Sequence, residues 1–391
     1  MDKSQFLDLL ESYNHHDASQ EKIFGGEGVR IRGKKSPQYL RQLAEAAQFV
    51  ARVYQGTAPV YRFQEAMTTS DFPLLFGDII DRQLLANYQE GAYSWSQYAK
   101  RGTVRDFRQV KRFYIDGASS TLAIVGEKEE YPESKINDGK YQYAVQKYGR
   151  RIPFSWESMV NDDLDALKDI PERFGRASRR TEEKFVTALF ANNGTFFSTA
   201  HKNVVSQALY AELAGTNPPL TASGLQDAMI VLARQTDTEG EPINMEALTL
   251  VVPPSLDIQA QNIMHAAQIW LNDRGGTTNE RLIVQNWLQG RLTIAVNTYL
   301  PIVDGSHGTT GWYLFASPSA GRPAMEVGFL RGHETPETFM KEPNARRIGG
   351  GAGNPMDGDF DTDSIHYKIR HVIGGTMMEP RAAVYSNGSG S

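Results

Sequence analysis

The sequence of 391 residues contains no cysteine. This absence excludes disulfide bonds, thiolate metal sites and cysteine nucleophiles, so the fold must be stabilised by packing or by assembly. Long apolar runs are absent too. None approaches the ~20 residues that cross a bilayer, and the first residues lack the basic start and apolar core of a signal peptide. We therefore expect a soluble protein with no membrane partner.

A positive charge excess is also missing, because the formal net charge is -5. Domains that hold nucleic acid by neutralising its phosphates are usually clearly basic. The sequence therefore argues against a protein that grips DNA. Its hydrophobic fraction of 40% is that of ordinary globular proteins, and its length is enough for two or three packed units.

The sequence lacks motifs for catalysis and metal binding. The glycine cluster RIGGGAGNP (347–355) is not followed by Gly-Lys-Ser/Thr, so it does not predict a phosphate-binding loop. Aspartates alternate in DGDFDTD (357–363), but Ser364 and Arg370 stand where a calcium loop requires glycine and glutamate. We predict no catalytic residue, no cofactor, no metal and no enzymatic activity. An enzyme built on residues 221–330 stays open as a remote alternative.

One long amphipathic segment, residues 169–193, is present and predicts a helix. We expect Asp169 to cap it, Pro171 to lie in its first turn, and Gly194 to end it in a left-handed conformation. At ~1.5 Å per residue the helix would be a strut roughly 36 Å long. Its narrow apolar stripe, at three- and four-residue spacing, consists of Phe174, Ala177, Phe185, Ala188 and Leu189.

Before this helix the apolar period changes to two, which predicts the arms of a long hairpin at 103–115 and 141–154. On the returning arm, Tyr141 and Tyr143 share one face and Gln142 the other. The segment between the arms is rich in charge, and a two-stranded ribbon is marginal alone in water. We therefore expect the hairpin to rest on another surface.

Helix and strand patterns alternate after the long helix and predict a unit at 221–330. A helix is expected to begin at Thr221, and the continuous apolar run 248–254 indicates a buried strand. Strand patterns return at 324–332 and 364–386, and the last six residues read as a flexible tail. At the other end, the sequence predicts an arm at 1–58 that includes a helix at 38–54. A second helix is predicted after the arm, at 74–93.

Several stretches carry a family resemblance through their order along the chain. They are VGEKEEYPESK (125–135), KYGRRIPFSWESMVNDDLDAL (147–167), FSTAHKN (197–203), LTLVVPPSLDIQAQNIM (248–264), VGFLRGHETPE (327–337) and IHYKIRHVIGGTMMEPRAAVYSNG (365–388). This ordered set resembles the major capsid proteins of tailed double-stranded DNA bacteriophages, most nearly the Mu-like major head subunit branch. The resemblance covers roughly residues 60–389.

The resemblance implies an α+β, Hong-Kong-97-type phage capsid fold with an N-terminal arm, an extended β-hairpin loop, a long spine helix, a peripheral domain and an axial domain. The implied divisions are 1–98 for the arm and leading helices, 99–115 and 153–220 for the peripheral domain with its spine helix at 169–193, 116–152 for the extended hairpin loop, 221–330 for the axial domain, and 331–391 for the return strands of the peripheral domain and the C-terminal tail.

The resemblance also implies a function. The chain would self-assemble into hexamers and pentamers that form the icosahedral shell of a virion, assembled in the cytoplasm of a host bacterium. The shell would enclose packaged double-stranded DNA without sequence-specific binding. Expected partners are a portal and decoration proteins, together with either a separate scaffolding protein or none. Residues 1–58 look too short to be a cleavable scaffolding segment.

The candidate inter-subunit contacts are Glu127 and Lys128 near the hairpin tip and Arg150 and Arg151 at its base. Some relatives cross-link their subunits covalently through a Lys–Asn isopeptide bond. Lys128, Lys135 and Lys140 are available for one, although abundant lysine also serves solubility, and we do not expect cross-linking. The alternative function is an encapsulin-like nanocompartment shell enclosing a cargo enzyme.

Overall fold

The computed structural model describes residue 88 and residues 94–117, 136–155, 164–211, 213, 215–237, 240–243, 245, 248–272, 281–319, 321–341 and 359–390. The predicted N-terminal arm, the helix at 38–54, the glycine cluster and the hairpin tip lie outside the described residues, as does the helix at 74–93 apart from Tyr88. The chain divides into two compact units. One comprises Met1–Gly91, Lys147–Ser178 and Gly332–His371, and the other Ala92–Gln146, Arg179–Arg331 and Val372–Ser391.

The described elements include few helices and several sheets, which confirms the expected α+β class. The strands are β1 (Lys100–Val104), β2 (Val110–Gly117), β3 (Ile136–Tyr143), β4 (Gln146–Ser155), β5 (Leu248–Val252), β6 (Gln268–Asn272), β7 (Arg281–Gln285), β8 (Leu292–Val296), β9 (Trp312–Ala316), β10 (Met325–Leu330), β11 (Glu337–Met340), β12 (Ser364–Met377) and β13 (Ala383–Ser386). The α-helices are α1 (Leu164–Phe190), α2 (Ala222–Ala233), α3 (Asp257–His265) and α4 (Leu300–Val303). Short 3₁₀ turns occur at Trp95–Gln97, Pro254–Leu256 and Pro380–Ala382.

A four-stranded sheet in the second unit has the order β13-β9-β5-β8. Strands β5 and β9 are buried at every position, as the continuous apolar run of β5 predicted. Helix α2 packs on this sheet and begins as expected, because the Thr221 hydroxyl accepts a hydrogen bond of 3.0 Å from the Gly224 N–H. The sequence therefore predicted this part of the core and the start of its helix.

Helix α1 differs from the prediction at both ends. It begins at Leu164, so Asp169 is not its cap and Pro171 lies inside the helix rather than in its first turn. A proline is best tolerated in a first turn, but here the helix continues on the N-terminal side of it. At the other end, Asn192 takes the left-handed conformation with φ 54° and the Asn193 side chain donates to the Leu189 carbonyl. Asparagine can fill this role, so Gly194 is not the terminator.

In the second unit, β10 pairs in parallel with β1 and antiparallel with the last residues of β12. In the first unit, β11 pairs antiparallel with residues 367–370 of β12, and β4 pairs with β12 as well. Two further ribbons belong to the second unit. Strands β2 and β3 form a hairpin paired from Val110↔Tyr143 to Gly117↔Ile136, and β6 pairs with β7. The predicted returning arm at 141–154 was wrong beyond Tyr143, because Gln146–Ser155 forms β4, which pairs with β12 instead. The leading arm begins at Val110 rather than 103, because β1 ends at Val104 and pairs with β10.

The C-terminal residues are not the flexible tail that their composition suggested. The Gly390 N–H donates to the Asn217 carbonyl at 2.8 Å, and the Thr310 hydroxyl donates to the Asn387 carbonyl at 2.8 Å. Gly388 adopts φ 70°, which glycine accepts without strain and which turns the chain toward these partners. Small polar residues here make specific hydrogen bonds to a neighbouring loop.

Candidate inter-subunit surface

The β2–β3 ribbon has two different faces. Successive residues of a strand point to opposite sides. Arg112, Tyr114, Tyr141 and Tyr143 lie on the inner face, where the Tyr114 and Tyr141 rings stack with centroids 4.8 Å apart and Tyr143 is buried. The predicted grouping of Tyr141 with Tyr143 is therefore confirmed.

The opposite side of the ribbon is exposed at four described positions: Lys111, Phe113, Lys140 and Gln142. We call these residues the outer ribbon face. Strand register places Phe113 opposite Lys140 and Lys111 opposite Gln142, so the four form one continuous patch. Phe113 is 71% exposed. The outer ribbon face therefore presents one large aromatic group between two lysines.

The predicted contact residues are only partly described. Arg150 and Arg151 are neighbours on β4, and both are exposed. Because neighbours in a strand point to opposite faces, β4 is open to solvent on both sides at this point. Glu127 and Lys128 lie outside the described residues. A contact role for all four stays a prediction.

A buried carboxylate on the inner side of the ribbon was not singled out from the sequence. Glu326, in β10, is 2% exposed. Its Oε1 atom accepts a hydrogen bond of 2.5 Å from the Tyr143 hydroxyl and one of 2.8 Å from Arg112 Nε. Burial raises the pKa of Tyr143, and the Glu326 carboxylate raises it further, so the phenol stays protonated and donates. The available signal was a lone glutamate within the apolar run AMEVGFL.

The alternating aspartates near β12 organise a turn. The Asp359 carboxylate accepts from the Thr362 hydroxyl at 2.8 Å and from the Thr362 and Ser364 N–H groups, and it also lies 3.2 Å from His366 Nε2. These hydrogen bonds, with that of the Thr362 hydroxyl foremost, hold the pKa of Asp359 well below its usual range. Within the described residues no group of three or more histidine and acidic side chains is arranged to hold a metal ion.

The second unit also contains a groove beside α3. Its lining consists of Ala222, Ser255, Ile258, Gln259, Asn262, Ile263, Ala266 and Ile269. The Ser255 hydroxyl donates to the Thr309 carbonyl at 2.5 Å, and the lining supplies no acid or base to activate it. The lining is therefore mostly apolar, with one hydroxyl and two amide side chains. In the described part of the chain, no helix is both long enough and apolar enough to span a bilayer.

Comparison with known proteins identifies the class. A family model of phage capsid proteins matches residues 140–386, which is more than half of the chain. No curated protein matches the sequence. Among solved structures, the capsid of Ralstonia phage GP4 is similar, with 9% identity over 76% of this chain and 91% of that chain and a TM-score of 0.47.

Two further structures are similar at comparable levels. Gordonia phage Cozz has 15% identity over 73% of this chain and 83% of its own, with a TM-score of 0.42. Mycobacterium phage Ogopogo has 16% identity over 75% and 94%, with a TM-score of 0.42. These TM-scores lie below 0.5, so the assignment rests on the family model.

The chain belongs to the phage capsid protein family. It is a major capsid protein that forms the shell of a bacteriophage head, as the sequence resemblance implied. The family match agrees with the Hong-Kong-97-type fold expected for residues 60–389. It favours a phage shell over the encapsulin-like compartment that was the alternative.

Proposed function

We propose that the chain assembles through hexamers and pentamers, with the outer ribbon face of each subunit lying on a neighbouring copy. The supporting observation is the patch formed by Lys111, Phe113, Lys140 and Gln142. A two-stranded ribbon cannot bury both faces by itself. Covering this face with a second copy removes Phe113 from water, and a chain of net charge -5 offers the two lysines a mostly acidic partner.

The shell would enclose double-stranded DNA in a virion after assembly in the cytoplasm of a host bacterium. The acidic net charge supports an enclosure without tight or sequence-specific DNA binding, because phosphate contacts require a basic surface. A scaffolding protein, a portal and decoration proteins are the further partners that we propose. The domain divisions implied by the resemblance are part of the same proposal.

We also propose that the protein is not an enzyme. Membership of a structural protein family supports this, and so does the groove beside α3, whose lining includes a hydroxyl without an adjacent base. A specific small-molecule binding signal on the unit at 221–330 would contradict the proposal.

The contact role of the outer ribbon face is tested by Phe113→Ser. We expect a folded subunit that no longer forms closed shells, because the substitution removes the exposed aromatic group and touches nothing buried. Phe107→Ser is the matched control, since Phe107 is 53% exposed in the loop between β1 and β2. Sedimentation and electron microscopy measure assembly. Normal shells from Phe113→Ser, or equal loss in both variants, would contradict a specific role for this face.

The arginine pair of β4 is tested in the same assay. Arg150→Glu with Arg151→Glu should weaken assembly if the pair faces an acidic surface of a neighbour. Arg105→Glu with Arg108→Glu makes the same charge change at two exposed loop residues. Glu127→Lys with Lys128→Glu tests the hairpin tip with no change in net charge. If all these variants assemble as well as the wild type, the result would contradict a contact role for the four predicted residues.

A further inference from the structure

Side chains from both strands of the ribbon converge on Glu326. Arg112 of β2 reaches its Oε1 atom through Nε and through Nη2, both at 2.8 Å, and also donates to the Thr103 carbonyl at 3.3 Å. Tyr143 of β3 donates to the same Oε1 atom at 2.5 Å. One buried oxygen therefore holds both strands at the base of the ribbon.

Three glycines lie in one row beneath these groups. Strand register aligns Gly102 of β1 with Gly328 of β10, and Gly328 with Gly374 of β12. An added Cβ atom at Gly102 would collide with the Glu326 carboxylate, one at Gly328 with the Tyr143 ring, and one at Gly374 with the backbone of Ala144. Glycine within a strand usually marks such a close approach. The row forms a flat seat for the ribbon base.

This arrangement contributes little to the stability of a single subunit, because it carries free-energy costs. A glycine inside a strand costs about 0.5–1 kcal/mol relative to alanine, and a buried carboxylate is often replaceable by apolar groups without loss of stability. What the arrangement provides is direction. Hydrogen bonds to a single acceptor have preferred angles, whereas an apolar contact allows the ribbon to rotate and slide.

We propose that Glu326, seated with the glycine row, is a positioning residue that fixes the direction in which the ribbon leaves the subunit, and that this direction selects closed shells of uniform size. The inference rests on the proposed function, because the outer ribbon face acts on a neighbouring copy. Tyr143 also packs in a small buried cluster with Val104, Val145, Leu330 and Val372, which transmits the fixed position to β1, β10 and β12.

The test is an apolar triple variant, Glu326→Met, Arg112→Met and Tyr143→Phe. It removes the hydrogen bonds without leaving a buried partner unsatisfied, so the subunit is expected to keep its resistance to urea. Amide hydrogen exchange in 110–117 and 136–143 should become about tenfold to a hundredfold faster, while β5 and α2 stay protected. Electron microscopy should show open or mixed-size particles in place of uniform shells.

The matched control is Arg105→Met with Arg108→Met, which replaces two exposed arginines in the loop between β1 and β2 and leaves the ribbon and Glu326 unchanged. We expect it to behave as wild type. Glu326→Gln keeps the acceptor oxygen and should give largely uniform shells. Should the triple variant fail to fold, Tyr143→Phe alone carries the test, with the same direction of change.

The outcomes separate the two proposals. Wild-type subunits that form no shell under any condition overturn the proposed function and this inference together. Wild-type shells alongside equally uniform shells from the triple variant overturn the inference alone. Unchanged exchange in the ribbon strands of the triple variant also overturns it.

Discussion

Asn297 links three parts of the second unit through its side-chain amide, so replacing it should lower the free energy of unfolding. It lies directly after β8 and is 0% exposed. Its Nδ2 group donates to the Tyr98 hydroxyl at 3.0 Å and to the Thr187 hydroxyl at 2.8 Å, and its Oδ1 accepts from the Tyr299 N–H at 2.9 Å. Asn297→Ala removes all three hydrogen bonds at once.

The expected loss follows from the three hydrogen bonds removed. The Thr187 hydroxyl keeps its hydrogen bond to the Glu183 carbonyl at 2.7 Å, so the cost is the net contribution of the three lost bonds, about 0.5–1.5 kcal/mol each. The free energy of unfolding should therefore fall by about 2–4 kcal/mol. That is a large share of the roughly 5–15 kcal/mol typical of a folded domain.

The assay is urea unfolding of unassembled subunits at neutral pH, followed by circular dichroism. Thr298→Ala is the control, because Thr298 is the next residue and is exposed. Its effect should stay within about 0.5 kcal/mol. A loss below about 1 kcal/mol for Asn297→Ala would contradict this prediction, since it would mean that the Asn297 hydrogen bonds contribute little to holding α1 and β8 together.

Three further predictions concern single substitutions. Gly374→Ala should destabilise the subunit by about 1–3 kcal/mol, because its added Cβ atom would meet the Ala144 backbone. Gly194→Ala should be nearly neutral, because an added Cβ atom there would meet open space. Thermal unfolding of both variants measures the difference. Asp359 has a lowered pKa in the folded state, so its stabilisation is complete above the unfolded value of about 4 and is lost as the pH falls below that value. Asp359→Asn should therefore flatten the acid side of the stability profile, and an unchanged acid dependence would contradict this. Thr221→Ala should cost about 1 kcal/mol through loss of the α2 cap, and an effect no larger than that of the exposed Thr199→Ala would contradict the cap's importance.

Sequence patterns correctly predicted those helices and strands that are determined by residues close together in the sequence. The run at 248–254 became β5 because every residue is buried, and Thr221 became a cap because its hydroxyl reaches the first turn of its own helix. The alternation at 141–143 likewise reported the two faces of β3 correctly. In each case, neighbours in sequence decide the outcome.

The sequence-based predictions were wrong where contacts with distant parts of the chain determine the local structure. The start of α1 at Leu164 overrode the preference that places Pro171 in a first turn. The final residues looked flexible from composition, but Asn217 and Thr310, far away in sequence, hold them. Local composition carries no information about such partners.

The Glu326 contacts could not be predicted from the sequence, because they too join residues that are far apart along the chain. Gly102, Gly328 and Gly374 are scattered along the sequence, and only strand pairing places them in one row. A glutamate in an apolar strand signals a buried partner, but the sequence does not say that the partners are Arg112 and Tyr143. Strand register, which the sequence specifies only weakly at this distance, defines the site.

Electron microscopy of the purified 391-residue chain tests directly whether this protein forms the shell of a phage head. The chain should be expressed alone and again with candidate scaffolding proteins, and the products separated by size. We expect closed polyhedral shells, or capsomer rings of five and six subunits, with diameters suited to a phage genome. Only monomers or dimers under every condition, or small shells filled by a cargo protein, would contradict it.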